Sequence, residues 1–337
     1  MIESVKPIHV IGGGGRNLII SLLRLIAMLL IIFCHICQYY DSEWAWWLNV
    51  GVQIFFIISG YLYGSKSIDE PVSWFKRQLI KILVPYWAFL TIAILTYGFI
   101  CPANLSVTNV IRSYLTVGTL NGIGHLWFVN YILFCYLITP YLGFLRDYLS
   151  RYSLRRTLLV LITVFGIYSI LSIFLNIHFR PGEVCCYILG YFISSIQSRT
   201  QKDVIKICAY LSIPLCLMSN ALFCYLKYVK GVEMYQGHFV HITDYSHLFL
   251  GLAITMCLMT CVKQVKANSM IAFSDKYSYE IYLVHQLFIL SPLTLLGVTD
   301  LKIFNMIITI SVIVIAGILL NVVSKRIKSW CIVSSCH

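Results

Sequence analysis

Apolar segments long enough to cross a bilayer recur from one end of the chain to the other. Ten can be drawn, at about 17–38, 47–64, 79–100, 125–144, 157–176, 183–197, 205–226, 244–262, 277–296 and 302–323, the sixth being short. Hydrocarbon offers no partner to a backbone N–H or C=O, so segments of this length fold as helices, which satisfy those groups internally. Of 337 residues, 59% are hydrophobic and 11% charged, and the mean hydropathy is +0.84. A soluble domain has too little interior to hide that much apolar surface. The sequence predicts an all-α polytopic membrane bundle of about ten transmembrane helices. One domain would span 17–323, with a polar lead at 1–16 and a polar tail at 324–337. The first segment reads as a membrane helix rather than a cleaved signal peptide. It is about twenty residues long, has no small-x-small cleavage site and carries Arg24 in its midst.

The formal net charge of +12 would suit nucleic-acid binding, but its distribution gives another reason for it. With the N-terminus in the cytoplasm, nineteen of the 25 Lys and Arg residues fall on the cytoplasmic side, five fall outside, and Arg24 lies in the membrane. Retention of positive loops in the cytoplasm accounts for such a split. Both termini are therefore expected in the cytoplasm, and no nucleic-acid partner is required.

Arg24 and His35 are ionisable residues inside the first segment. A charged side chain at the bilayer centre costs roughly 2.5 kcal/mol or more, so it is rare there unless it has work to do. Eleven residues at about 100° each make three turns and about 20° more, which puts both side chains on one face, about 16 Å apart along the axis. A neutral imidazole is cheaper in a membrane than a full charge and can act as a general base toward a hydroxyl. A structural hydrogen bond to a neighbouring helix is the alternative for His35. For Arg24 it is an ion pair with Glu280, the acid placed inside a span at similar depth.

Other residues carry weaker signals. Lys76, Arg77 and Lys81 form a basic cluster at a cytoplasmic mouth, suited to phosphate groups and equally to anionic lipid headgroups. Ser59-Gly60 permits close helix approach. His125 and Trp127 open the fourth segment on the outer side, where either can touch a sugar, although Trp also belongs to the interfacial belt. His285 lies mid-span. Cys34-x-x-Cys37 lacks a second ligand pair, and most of the thirteen cysteines sit in apolar runs as small hydrophobes, so no metal site is expected. The stretch 227–244, with Glu233, His238, His241 and Asp244, reads as a solvated outer loop. No internal repeat is evident, which weighs against an alternating-access transporter.

Five landmarks in order resemble the acyltransferase 3 family of integral membrane acyltransferases. They are Arg24-x10-His35; Phe55-Phe56-Ile57-Ile58-Ser59-Gly60-Tyr61; Trp74-Phe75-Lys76-Arg77 to Pro85-Tyr86; Leu126-Trp127-Phe128-Val129 with Tyr136 to Pro140; and Ser278-Tyr279-Glu280-Ile281-Tyr282-Leu283-Val284-His285. They span residues 24 to 285, about three quarters of the chain. One departure stands out: where the family often has two arginines three apart before the third helix, this chain has Gln78 and Lys81, with Arg77 displaced by one.

The resemblance implies a multi-pass enzyme of the bacterial cytoplasmic (inner) membrane. Acyl-CoA, here acetyl-CoA, would donate from the cytoplasm as substrate, with no permanently bound cofactor. A glycan or lipid-linked saccharide would accept at the outer face, with membrane lipids as surroundings. The resemblance places the essential pair on Arg24 and His35 and site-lining roles on Ser59 and His285; the residues themselves offer Lys76, Arg77 and Lys81 as donor contacts and His125, Trp127 and Glu280 as further site-lining candidates. A polysaccharide or glycolipid exporter or flippase is the alternative from another class, and a membrane acyltransferase acting on lipid or protein is a third.

Overall fold

The computed structural model describes residues 18–149, 163, 166–167, 170, 181–195, 198–233, 239–262, 266 and 268–333. Among the described residues all regular structure is helical, in eleven α-helices with short 3-10 and π-helical turns. In chain order they are α1 (Leu18–Tyr39), α2 (Trp44–Leu48), α3 (Gly51–Gly64), α4 (Pro71–Ile100), α5 (Val107–Tyr114) and α6 (Trp127–Leu149). There follow α7 (Pro181–Ser195), α8 (Ser198–Cys224), α9 (Phe239–Cys261), α10 (Ser269–Ile289) and α11 (Lys302–Val333).

Among the described residues, seven helical stretches are long and apolar enough to cross a membrane: Leu18–Tyr39, Trp44–Gly64, Pro71–Ile100, Gly124–Leu149, Asp203–Val229, Phe239–Cys261 and Lys302–Ser329. Each corresponds to one of the ten predicted segments. Most of the segment at 157–176 lies outside the described residues. The segment at 183–197 is the 15-residue α7. The segment at 277–296 begins earlier, as α10, and takes in Asp275, Lys276 and Glu280, which lower its hydropathy. The second span is a broken helix, interrupted at Asn49 and Val50 between α2 and α3.

Two other boundaries moved because tertiary contacts extended helices into polar sequence. α9 starts at Phe239 and absorbs buried His241 and also Asp244, so the end of the stretch read as a solvated loop is helix, while 234–238 lies outside the described residues. α11 continues to Val333, well past the predicted end of its span. The large apolar side chains of Phe99, Ile303, Ile315 and Leu319 are exposed, an outward face suited to lipid.

Backbones meet where α3 crosses α7. A Cβ at Gly60 would lie 1.9 Å from the Tyr187 carbonyl oxygen, one at Gly64 1.9 Å from that of Tyr191, and one at Gly190 2.0 Å from that of Ile57. Gly60-x-x-x-Gly64 therefore forms a glycine seam, the device by which membrane helices approach without side chains between them. The fully buried Tyr187 is fixed beside it by a hydroxyl contact with Thr139 at 2.7 Å.

α1 lies along α10. Arg24 meets Asp275 at 2.6 Å and His35 meets Gln286 at 3.4 Å, so eleven residues on one helix are matched by eleven on the other. The two helices run in the same direction, as the first and ninth segments of an alternating chain would. This pair supplies the wall on which the candidate site is built.

Candidate active site

A cavity of about 320 Å³ opens between α1, α3, α4, α6, α10 and α11. Its lining includes Arg24, Ser59, Lys81 and Glu280 of the residues singled out in the sequence. Also in its walls are Tyr63, Tyr136, Asp275, Tyr279, Tyr282, Asn321 and Lys328. Cationic groups thus enter from four helices: Arg24 from α1, Lys81 from α4, Lys276 from α10 and Lys328 from α11. Lys328 donates to the Lys81 carbonyl at 3.2 Å, which ties the end of α11 to α4.

Arg24 pairs with Asp275 rather than Glu280. Its Nη1 donates to Asp275 Oδ1, while Ser21 Oγ donates to Asp275 Oδ2 at 2.7 Å. The Arg24–Glu280 ion pair, the alternative for Arg24, does not form, because α10 starts eight residues before the predicted segment and presents Asp275 at the level of Arg24. Glu280 instead accepts from Asn321 Nδ2 at 3.0 Å. The side chains of Arg24 and Asp275 are 23% and 11% exposed, so the pair is largely removed from bulk water. Arg24→Ala and Asp275→Ala are each expected to lower the thermal midpoint in detergent, and the double change to cost less than their sum. A coupling of about 1–3 kcal/mol is expected for charged groups in direct contact. Additive effects would show that the contact contributes nothing to stability.

Deeper in the bundle, past Phe128 and Tyr282, three imidazoles gather. The ring centroids are 5.0 Å apart for His35 and His285, 4.6 Å for His125 and His285, and 6.4 Å for His35 and His125. His125 was expected at the outer surface, within reach of a sugar. It is buried instead, in a short 3-10 turn, Gly124–Leu126, with Nδ1 on Gln286 Oε1 at 2.8 Å and Nε2 on the Leu283 carbonyl at 3.1 Å. Both of its nitrogens being engaged, it holds α10 in place. Tyr282 completes this clamp by donating its hydroxyl to the His125 carbonyl at 2.6 Å. His285 uses Nδ1 on the Tyr282 carbonyl at 2.5 Å, and its buried Nε2 has no hydrogen-bond partner.

His35, like His285, is held through one nitrogen, but by side chains rather than by a carbonyl. Its Nδ1 meets Gln38 Oε1 at 2.5 Å and Gln286 Nε2 at 3.4 Å, and Nε2 makes no hydrogen bond. An imidazole fixed through one nitrogen and open at the other is the arrangement a general base requires. Gln38 in turn lines a second cavity of about 310 Å³ at the opposite end of α1 from Arg24. Asp41, Glu43, Trp46, Asn49, Lys227, Thr243, Asp244 and His247 also line it. His35 lines neither chamber: Gln38 separates it from the second, and His285, with Tyr282 beside it at 5.4 Å, from the first.

A family model for an acyltransferase domain, acyltransferase 3, matches residues 17–326 of this framework. The chain belongs to the acyltransferase 3 family. No curated protein and no solved structure matches the chain. Membership gives the acyltransferase its coarse activity, acyl transfer by a multi-pass membrane protein.

The remaining sequence candidates fall unevenly around this site. Lys76 and Arg77 are exposed on α4 and do not line the basic cavity, whereas Lys81, four and five residues on, does. Gln78 shares the face of Lys81 and accepts from the Tyr63 hydroxyl at 3.0 Å. Ser59 lines the cavity, while its neighbour Gly60 serves packing. Trp127 packs edge-on against Tyr131 and lines neither chamber of the acyltransferase. Among the described residues no group of three or more His, Cys, Asp or Glu is placed to hold a metal. Asp275, Lys328 and Gln38 escaped the sequence reading. Asp275 falls two residues before its predicted segment, Lys328 in the predicted polar tail, and Gln38 at the very end of its segment.

Proposed function

We propose that the acyltransferase moves an acyl group, acetyl in the first instance, from cytoplasmic acyl-CoA to a hydroxyl of a cell-surface glycan or glycolipid. The bacterial cytoplasmic membrane, ten spans and cytoplasmic termini are the setting this reading carries. One observation supports it above the others. His35 is anchored through Nδ1, its Nε2 is unengaged, and it lies between a chamber rich in cations and a chamber rich in hydroxyl-binding groups.

The chemistry balances without a further reactant. His35 Nε2 takes the proton of the acceptor hydroxyl as its oxygen attacks the thioester carbonyl. The new C–O bond forms, the C–S bond breaks, and the proton on His35 passes to the departing CoA sulfur. The buried ring of His285 lies against the imidazolium that forms. Arg24 keeps its place through one nitrogen on Asp275, and its remaining N–H groups are available to the donor. In a water-poor cavity such preset donors stabilise developing negative charge at low reorganisation cost. A cavity of about 320 Å³ is at the small end of ligand sites. It suits the narrow pantetheine arm, with the phosphates left at the mouth beside Lys81 and Lys328. An exporter reading finds no comparable support, since it assigns no purpose to an imidazole anchored on one side only.

Purified protein given radiolabelled acetyl-CoA and a panel of saccharides tests the proposal directly. Acceptor-dependent release of free CoA with label on the saccharide is the expected result. Saccharide translocation without thioester consumption would overturn it. The donor arrangement carries its own prediction. Lys81→Ala with Lys328→Ala should raise KM for acetyl-CoA by about tenfold and blunt its salt dependence, with kcat little changed, as loss of charge-assisted phosphate binding requires. Lys76→Ala with Arg77→Ala should do markedly less. The reverse ranking would move the phosphates to the outer face of α4.

A further inference from the structure

His285 carries a nitrogen for which the transfer steps above have no use. Its ring is fully buried on α10, and its Nδ1 meets the Tyr282 carbonyl at 2.5 Å. A carbonyl oxygen only accepts, so Nδ1 holds the hydrogen, and in the neutral ring Nε2 is left as a bare acceptor. Among the described residues nothing donates to it. A buried polar atom without a partner is costly and uncommon, so it calls for a reason. His35 has the same make-up. Gln38 presents its oxygen to Nδ1, which therefore donates, and Nε2 is again bare. The two ring centroids are 5.0 Å apart and the planes are tilted by 30°. Two neighbouring imidazoles thus each offer an empty proton site.

The other groups around them are committed. His125 engages Gln286 through Nδ1 and the Leu283 carbonyl through Nε2, so taking up a proton there would disturb the clamp on α10. The Tyr282 hydroxyl has given its hydrogen to the His125 carbonyl. His285 is also the imidazole on the donor side. α10 lines the cation-bearing cavity from Asp275 through Tyr282, whereas α1 brings Arg24 alone among the described residues. The cavity therefore follows α10 toward the histidines. His285 comes three residues after Tyr282 on the same face of the helix, with the two rings 5.4 Å apart. A thioester entering by this cavity comes to His285 before His35.

Resting on the acyl-transfer reading above, we infer that His285 is the carrier that returns the proton from His35 to the departing CoA sulfur. His35 Nε2 takes the hydrogen of the acceptor hydroxyl as the C–O bond forms. It passes that proton to His285 Nε2, and His285 gives it to the sulfur as the C–S bond breaks. Both rings end as they began, with Nδ1 protonated and Nε2 bare, so neither the Gln38 contact nor the Tyr282 contact has to open. The acceptor hydroxyl supplies the proton and the free thiol receives it. A thiolate released unprotonated into a water-poor interior would be a poorly solvated charge, which is what the carrier avoids.

Two donors that differ in a single atom test the assignment. Acetyl-CoA releases a basic thiolate, and acetyl-seleno-CoA releases a selenolate that departs without a proton at neutral pH. The acceptor is the saccharide of the panel above that takes label from acetyl-CoA. His285→Asn keeps a side-chain N–H for the Tyr282 carbonyl and removes Nε2. In single turnovers it should slow transfer from acetyl-CoA by about 10²-fold with donor affinity unchanged, and transfer from acetyl-seleno-CoA by about threefold at most. His35→Ala should slow both alike, because the acceptor hydroxyl needs the same base whichever donor is used. His285→Gln, also without a basic nitrogen, should repeat the contrast, and thermal midpoints in detergent check that both variants fold. Equal losses with the two donors, or a native rate in His285→Asn, would overturn the inference and leave acyl transfer standing. A native protein that transfers from neither donor would remove the acyl-transfer reading itself, and the carrier with it.

Discussion

His35→Ala is expected to reduce acetyl transfer by about 10²-fold or more while leaving a folded protein with unchanged affinity for acyl-CoA. The loss follows from removing a general base, whose usual worth is about 10²–10⁴. Folding should survive because His35 donates little to the framework. The clamp on α10 belongs to His125, with both nitrogens engaged, and to the Tyr282 hydroxyl. Donor affinity should survive because the cations lie in the other chamber, about three helical turns away at Arg24 and beyond. Gln38→Ala should give a smaller loss, since it frees Nδ1 without removing the base. The pH dependence has a definite sign. The base must be neutral to take a proton, so the native rate falls as pH drops through its pKa, and this limb should vanish from the residual activity of His35→Ala. A folded His35→Ala protein with native turnover would remove His35 from the chemistry.

Gly60→Ala is expected to be among the most damaging single-methyl changes in the molecule. By intrinsic propensity the sign would be the opposite, because alanine favours a helix over glycine by about 1 kcal/mol. The added carbon would sit 1.9 Å from the Tyr187 carbonyl oxygen, and both partners are backbone, so no side chain can turn aside. α3 and α7 would have to separate along their whole seam, and overpacking of this kind costs about 1–3 kcal/mol or more. Gly190→Ala, facing the Ile57 carbonyl, should behave alike. Gly98 supplies the control. It lies within α4, with the nearest atom 3.8 Å from an added carbon, so Gly98→Ala should be neutral or slightly stabilising. Thermal midpoints in one detergent decide the matter, and equal midpoints for Gly60→Ala and Gly98→Ala would refute the seam.

Much of the site could be read from spacing, and the misses have physical causes. The phase of Arg24 and His35 depends only on helix geometry, and one partner helix receives both. Ser59 and Lys81 are likewise on the lining. Lys76 and Arg77 illustrate the limit. They belong to the same basic run as Lys81, but a helix turns each residue by about 100°, and the face toward the bundle holds Gln78 and Lys81. His125 misled because an ionisable residue at a span end reads as a surface group. Its burial depends on Gln286 and Leu283, more than 150 residues away.

By itself the sequence determined the solvent, the secondary structure and the family, because each is written in local terms. Segment length and hydropathy dictate membrane helices, and ordered landmarks carry the resemblance that the family model bears out. Only the tertiary structure decided which acid takes Arg24, which glycines touch backbone, and that three histidines from α1, the turn before α6 and α10 meet. Those facts depend on the registers in which helices pack. A register is chosen by the sum of many weak contacts between segments distant in the chain, and no single segment encodes it.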